Sequence, residues 1–176
     1  MWQLVRQQQS EGRMDRLEVA MQELAEAQRR TAEEMRGLTV AMKEMRWIVR
    51  TFQRAVGYML GDRACAGLPA LLKSDFGIEV VGRLTRDYVK IGKRDVEVNI
   101  FGKGRKSGAE VWIVGEAKTQ VYERDVKQFE RTVEELKTVL GENLFLVMVG
   151  YQITPEVQQY LRARGIAFYI STALPL

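Results

Sequence analysis

Residues 95–118 read DVEVNIFGKGRKSGAEVWIVGEAK, and the fold turns on them. In DVEVNIF the apolar Val96, Val98 and Ile100 alternate with Asp95, Glu97 and Asn99. Strand side chains point to opposite faces with period two, so this is a strand with one core face and one polar face. Residues 102–108, rich in Gly, Lys and Arg, are expected to form the loop of a hairpin. Residues 111–114 are an apolar run expected to form a central strand, ending in Glu116, Ala117 and Lys118, so that Glu116 and Lys118 share a face. Carboxylates facing one another at the end of a buried strand repel, and burial penalises their charge. A hard divalent ion would relieve that conflict, since Mg²⁺ is held by one or two carboxylates with water completing its shell. Lys118 would then lower the pKa of an attacking water or steady the charge of a pentavalent phosphate, which is metal-assisted phosphodiester hydrolysis.

At these residues the sequence resembles the PD-(D/E)xK nuclease superfamily, whose signature is an acid on one strand and Glu-x-Lys on the next, followed by a helix. Glu116 and Lys118 match the second half of that motif. In the slot of the first acid, within EVNIFG, stands Asn99, a neutral ligand, and Glu97 or Asp95 is expected to substitute for the missing carboxylate. The resemblance implies a metal set of Glu116, Glu97, Asp95 and Asn99, holding Mg or Mn. It implies a catalytic set of Glu116, Lys118 and Glu97, with Gln128 on the next helix orienting the water. It covers residues 57–176. A coiled-coil scaffold or nucleic-acid-binding module that keeps the fold without cutting is the alternative, and Asn99 is its main support.

The chain has 176 residues, 46% of them hydrophobic and 28% charged, enough for one core with an appendage. It has no histidine, so Ser-His and Cys-His nucleophiles and Cys/His zinc sites are excluded, and any metal must be held by oxygen. A single cysteine, Cys65, excludes an internal disulfide. Nothing near Met1 resembles an export signal and no run reaches membrane-spanning length, so the expected location is cytoplasmic.

The net charge of +4 is unevenly spread. Lys90, Lys93, Arg94, Lys103, Arg105 and Lys106 lie in one third of the domain, where they would either meet the phosphates of DNA, the expected partner, or solvate loops. No aromatic interleaving points to a single-strand stacking platform.

Residues 1–56 carry a different pattern. With Met14 as a and Leu17 as d, the a positions are Met14, Met21, Gln28, Met35, Met42, Val49 and Val56. The d positions are Leu17, Leu24, Thr31, Leu38, Met45, Phe52 and Met59. A seam this long exceeds what a globular helix shows, and at about 1.5 Å per residue it extends on the order of 70 Å. A homo-oligomer through a coiled coil is expected, with alanine at several e and g positions leaving helix number and direction open. Beyond it, residues 56–73 are expected as one helix or as two, broken near Gly61 and Gly67 with Pro69 opening a new turn. Asp62 is the nearest acid there that could face the site. The whole order is helix, three strands, helix, strand, helix, strand: an α/β, restriction-endonuclease-like αβββαβ domain with a mixed sheet and an extra αβ unit, behind a long helix.

Overall fold

The computed structural model describes the backbone of residues 2–175 and the side chains of residues 12–175. The elements are α1 (Trp2–Phe76), β1 (Ile78–Ile91), β2 (Arg94–Lys106), β3 (Ala109–Val121), α2 (Glu123–Leu140), β4 (Leu144–Ile153), α3 (Pro155–Ala163) and β5 (Ala167–Ile170), with a final 3₁₀ turn at Ser171–Ala173. The chain divides into two compact units, Met1–Arg50 and Thr51–Leu176. The first is helix from Trp2 onward, and among its described side chains the large apolar ones, Met14, Leu24, Met35 and Met45 among them, are exposed.

The second unit is a five-stranded sheet in the order β1-β2-β3-β4-β5. The two hairpins pair β1, β2 and β3 antiparallel, while the α2 and α3 crossovers make β4 and β5 parallel additions. This is the mixed αβββαβ arrangement with a further αβ unit that the sequence implies. The sheet is covered on both faces. On one, Ile100, Ile113, Ala117, Val147 and Val149 bury against Leu60, Ala64, Leu68 and Leu72 of α1. On the other, Val98, Val114, Val121 and Met148 bury against Val126, Phe129 and Val133 of α2 and Leu161 of α3.

One open alternative is settled and two expectations are corrected. First, of the two alternatives for residues 56–73 α1 takes the single helix, running through Gly61 and Pro69 to Phe76. Proline inside a helix removes a hydrogen bond, but the buried row Leu60, Ala64, Leu68, Leu72, spaced by four, clamps this segment to the sheet and outweighs that loss. Second, residues 102–108 are mostly strand. β2 continues to Lys106, and only Ser107 and Gly108 turn, both with positive φ, 51° and 84°. Gly104 is needed for close approach: a Cβ there would stand 2.8 Å from Ile78 Cγ2 and 3.0 Å from Ile113 Cδ1. Third, Val98 and Ile100 do not share a face, because Val98 packs with α2 and Ile100 with α1. The pairs Thr85↔Phe101 and Asp87↔Val98 show why: two steps along β1 match three along β2, so Arg86 opposes both Asn99 and Ile100 in a bulge.

A candidate active site at a fork in the sheet

Pairing between β2 and β3 begins at Lys106↔Ala109 and stops at Ile100↔Gly115. Beyond that point β2 stays with β1 as far as Ile91↔Arg94, and β3 stays with β4 as far as Val121↔Ile153. The sheet therefore forks. Glu97 and Asn99 lie on one arm, Glu116 and Lys118 on the other.

On the β3 arm Glu116 and Lys118 keep step with Val114, which packs with α2, while Ala117 turns to α1. Lys118 Nζ lies 2.9 Å from Glu116 Oε1. Burial pushes the Glu116 carboxyl above the usual range; Lys118 pulls it back, and the charges of Glu97 and Asp125 push it up again. Burial also pulls the Lys118 ammonium down, but Glu116, Asp125 and Glu97 together outweigh it and raise its pKa. The lysine is a firmly charged cation among three carboxylates.

Asp125 enters from the start of α2. Its Oδ2 accepts the Tyr122 N–H at 2.9 Å, the capping role that its position in sequence suggests. Its charge also reaches Glu116 and Lys118, a second role that a cap signal does not reveal.

On the β2 arm Glu97 is held by Arg86, an arginine that carries no motif and that sequence reasoning passes over as one of several cations. Arg86 Nε lies 3.6 Å from Glu97 Oε1. Its Nη2 donates to Asp62 Oδ1 at 3.3 Å and to the Tyr58 carbonyl at 3.1 Å, and the guanidinium lies 3.9 Å above the Tyr58 ring. Asp62 thus reaches Glu97 through Arg86. Arg86 Nε and Glu97 Oε1 are both buried and face each other as an ion pair just beyond hydrogen-bond distance. Gly61 faces this arm: a Cβ there would make ordinary contact, 3.4 Å from Arg86 Nη2 and 3.9 Å from the Asn99 carbonyl. Next to it Cys65 Sγ donates to that same carbonyl at 3.7 Å, and burial pushes the thiol up to about 11.

The structure brings together Glu97, Glu116 and Lys118, adding Asp125 and Arg86 to them. Asp95 stands exposed opposite Lys90 near the β1–β2 turn. Asn99 is half-buried in the bulge, so counting by twos from Glu97 does not place its side chain. Gln128 is exposed on α2. On β3, Gln120 keeps step with Glu116 and Lys118, and its Oε1 accepts the Tyr122 hydroxyl at 2.6 Å. Among the described residues no three acids, cysteines or histidines are grouped as a ready metal cage. Mg²⁺ asks for only one or two carboxylates with water; Glu97 and Glu116 are the acids on the two arms, and Glu97 Oε1 faces Arg86 Nε.

The cations fall into two sets. Lys90, Lys93 and Arg94 gather at the β1–β2 turn, where Arg94 pairs with Glu135. Lys103, Arg105 and Lys106 lie at the other end of β2, which at roughly 3.4 Å per residue is about 40 Å away. Cross-strand pairing brings Lys103 to 4.7 Å above Trp112, itself stacked on Phe101 at 5.0 Å. That cation-aromatic stack is invisible in the linear sequence, where the two partners lie on different strands.

No protein-family model matches the chain, and no curated protein matches it either. Among solved structures it is similar to a repair endonuclease from Pyrococcus abyssi, with 20% identity, a TM-score of 0.39, and coverage of 60% of this chain and 45% of that one. It is also similar to EndoMS in apo form, at 18% identity and a TM-score of 0.36, over 60% of this chain and 45% of that one. EndoMS in a complex with double-stranded DNA matches at 20% identity and a TM-score of 0.37, over 58% of this chain and 42% of that one. The chain thus covers less than half the length of each. These likenesses concern the fold alone, and the chemistry has to be argued from the residues at the fork.

Proposed function

We propose that the globular unit is a metal-dependent nuclease that hydrolyses DNA phosphodiesters at the fork, and that the N-terminal helix holds several copies together. The observation that carries this reading is the juxtaposition of Glu116, Lys118 and Glu97 where β2 and β3 part. Glu116 and Glu97 would hold Mg²⁺ or Mn²⁺, which supplies Lewis-acid stabilisation of phosphate oxygens. Lys118, 2.9 Å from Glu116, would place a positive charge beside the phosphate. Arg86 fixes the Glu97 arm against α1. Lys90, Lys93 and Arg94, at the turn that closes the β1–β2 arm, are the cations that would track a backbone near the fork. Tethering copies through a coil raises the effective concentration of the second site once the first has bound. The setting this reading implies is the cytoplasm; among the described residues no helix is long and apolar enough to cross a membrane.

The test is cleavage of supercoiled and branched DNA with Mg²⁺ or Mn²⁺ by the wild type, Glu116→Ala and Lys118→Ala. Metal-dependent cutting that falls at least ~100-fold in both variants is expected, as when a transition-state charge partner is removed. Cutting that survives both variants would move the chemistry elsewhere. No cutting, with salt-dependent DNA binding intact, would favour a second reading: a coiled-coil binding module built on a silent nuclease-like fold. Asn99 in the acid slot and the lack of a three-acid cage among the described residues are the observations on its side.

A further inference from the structure

Between Met14 and Phe52, α1 presents an apolar stripe that no described residue covers. Met14, Leu24, Met35, Met45 and Phe52 are all more than half exposed, and they share one seam at heptad spacing. A stripe of this length exposed on one chain calls for a partner. Its flanking charges favour a particular one. Over residues 15–34 acids outnumber bases six to three; over residues 36–54 five bases stand against Glu44 alone. A parallel, in-register second copy would lay the basic block on itself, whereas an antiparallel copy lays it against the acidic block.

Positions beside the seam agree. In a parallel pair each g residue meets the e residue five places on in the other copy, and here those pairs are Arg13 with Glu18, Ala20 with Ala25, Ala27 with Ala32, Glu34 with Thr39, Ala41 with Arg46 and Ile48 with Gln53. Only the first, at the end of the seam, is an ion pair, so that arrangement is weakly specified. Antiparallel helices also oppose their macrodipoles favourably.

We infer that the stripe is covered by the same stripe of a second copy running antiparallel, in the register that sets Met14 against Phe52 of that copy. This register overlaps the Met14–Phe52 stretch of the seam with itself, pairing Leu17 with Val49 and Met21 with Met45, and leaves Met59 outside it. It brings Glu18 beside Arg46 of the second copy, twice by symmetry. Thr31 needs no cross-helix partner, because its hydroxyl already donates to the Ala27 carbonyl at 3.0 Å. Against the register stands Glu34, which meets its own copy near the midpoint; its side chain is exposed and can splay outward.

The inference rests on the self-association in the reading above, and its test separates the two. A spin label on Gln22→Cys, in a full-length Cys65→Ala background, occupies an exposed position outside the seam. In the antiparallel register position 22 of one copy lies level with position 44 of the other, so the labels sit about 33 Å apart along the axis. Pulsed dipolar spectroscopy should read a single distance near 35 Å, and sedimentation equilibrium a dimer. Arg46→Glu should weaken the dimer several-fold, and adding Glu18→Lys should restore it. A single distance below about 20 Å would overturn the orientation while leaving self-association standing. Short and long distances together would mean a larger bundle and overturn the two-copy arrangement. A monomer at all concentrations would overturn both.

Discussion

Met59 and Leu60 are neighbours on α1, yet Met59 is 70% exposed and Leu60 fully buried. They mark the meeting of two patterns on one helix. Up to Phe52 the apolar residues recur with three-and-four alternation, and they are exposed. From Leu60 the buried residues recur every fourth position, the row that lies along the sheet surface, and they form part of the core. The same kinds of side chain are exposed in one stretch and form the core in the other, and the spacing tells them apart.

Substitutions can break that contrast. The largest effect is expected from Leu68→Ala, which empties a fully buried site and should cost the globular unit about 2–5 kcal/mol, read as a lower denaturation midpoint. Leu24→Ala should leave that midpoint within about 0.5 kcal/mol, since Leu24 is exposed, and should instead raise the concentration needed for self-association. Equal effects on folding would erase the distinction. A smaller loss, about 1–3 kcal/mol by overpacking, is expected for Gly104→Ala, whose new Cβ presses on Ile78 and Ile113; a neutral result would mean the hairpin has room to shift.

The smallest and most informative shift concerns the fork. Carbon-13 titration of the Glu116 carboxyl should give a midpoint above its usual 4.5, and Lys118→Met should move it higher still by removing the cation that lowers it. The sign for stability follows. Because the folded state holds this proton more tightly, Glu116 makes folding less favourable as pH rises from the unfolded value through the folded one. Lys118 does the opposite at the alkaline end: its contribution is complete below about 10.5 and is lost as pH rises through the raised folded value. A Glu116 midpoint at or below its usual value would mean the fork is open to water.

Much of this was legible in the residues. The heptads located the seam, and alternation together with apolar runs gave the element order and the mixed sheet. Glu-x-Lys located one arm of the fork, since two residues apart on a strand must share a face. The other arm was not legible in the same way. A bulge has no composition signal of its own, so the count from Glu97 to Asn99 fails at the point where it matters. Glycines at 102 and 104 looked like a loop because a turn and a tight interior contact both call for a missing Cβ. Arg86 was hidden because its importance comes from Tyr58, Asp62 and Glu97, which lie on two other elements, α1 and β2.

Cys65 gives the molecule a clock. Its thiol is half-buried where α1 crosses the fork, bonded to the Asn99 carbonyl, with a pKa pushed up to about 11. At pH 8 only about a thousandth of it is thiolate, the reactive form. A thiol reagent should therefore react at a rate set by how often the helix lifts from the sheet, and a ligand that ties the two arms together should slow it. One native atom would then time the breathing of the fork without any change to the chain.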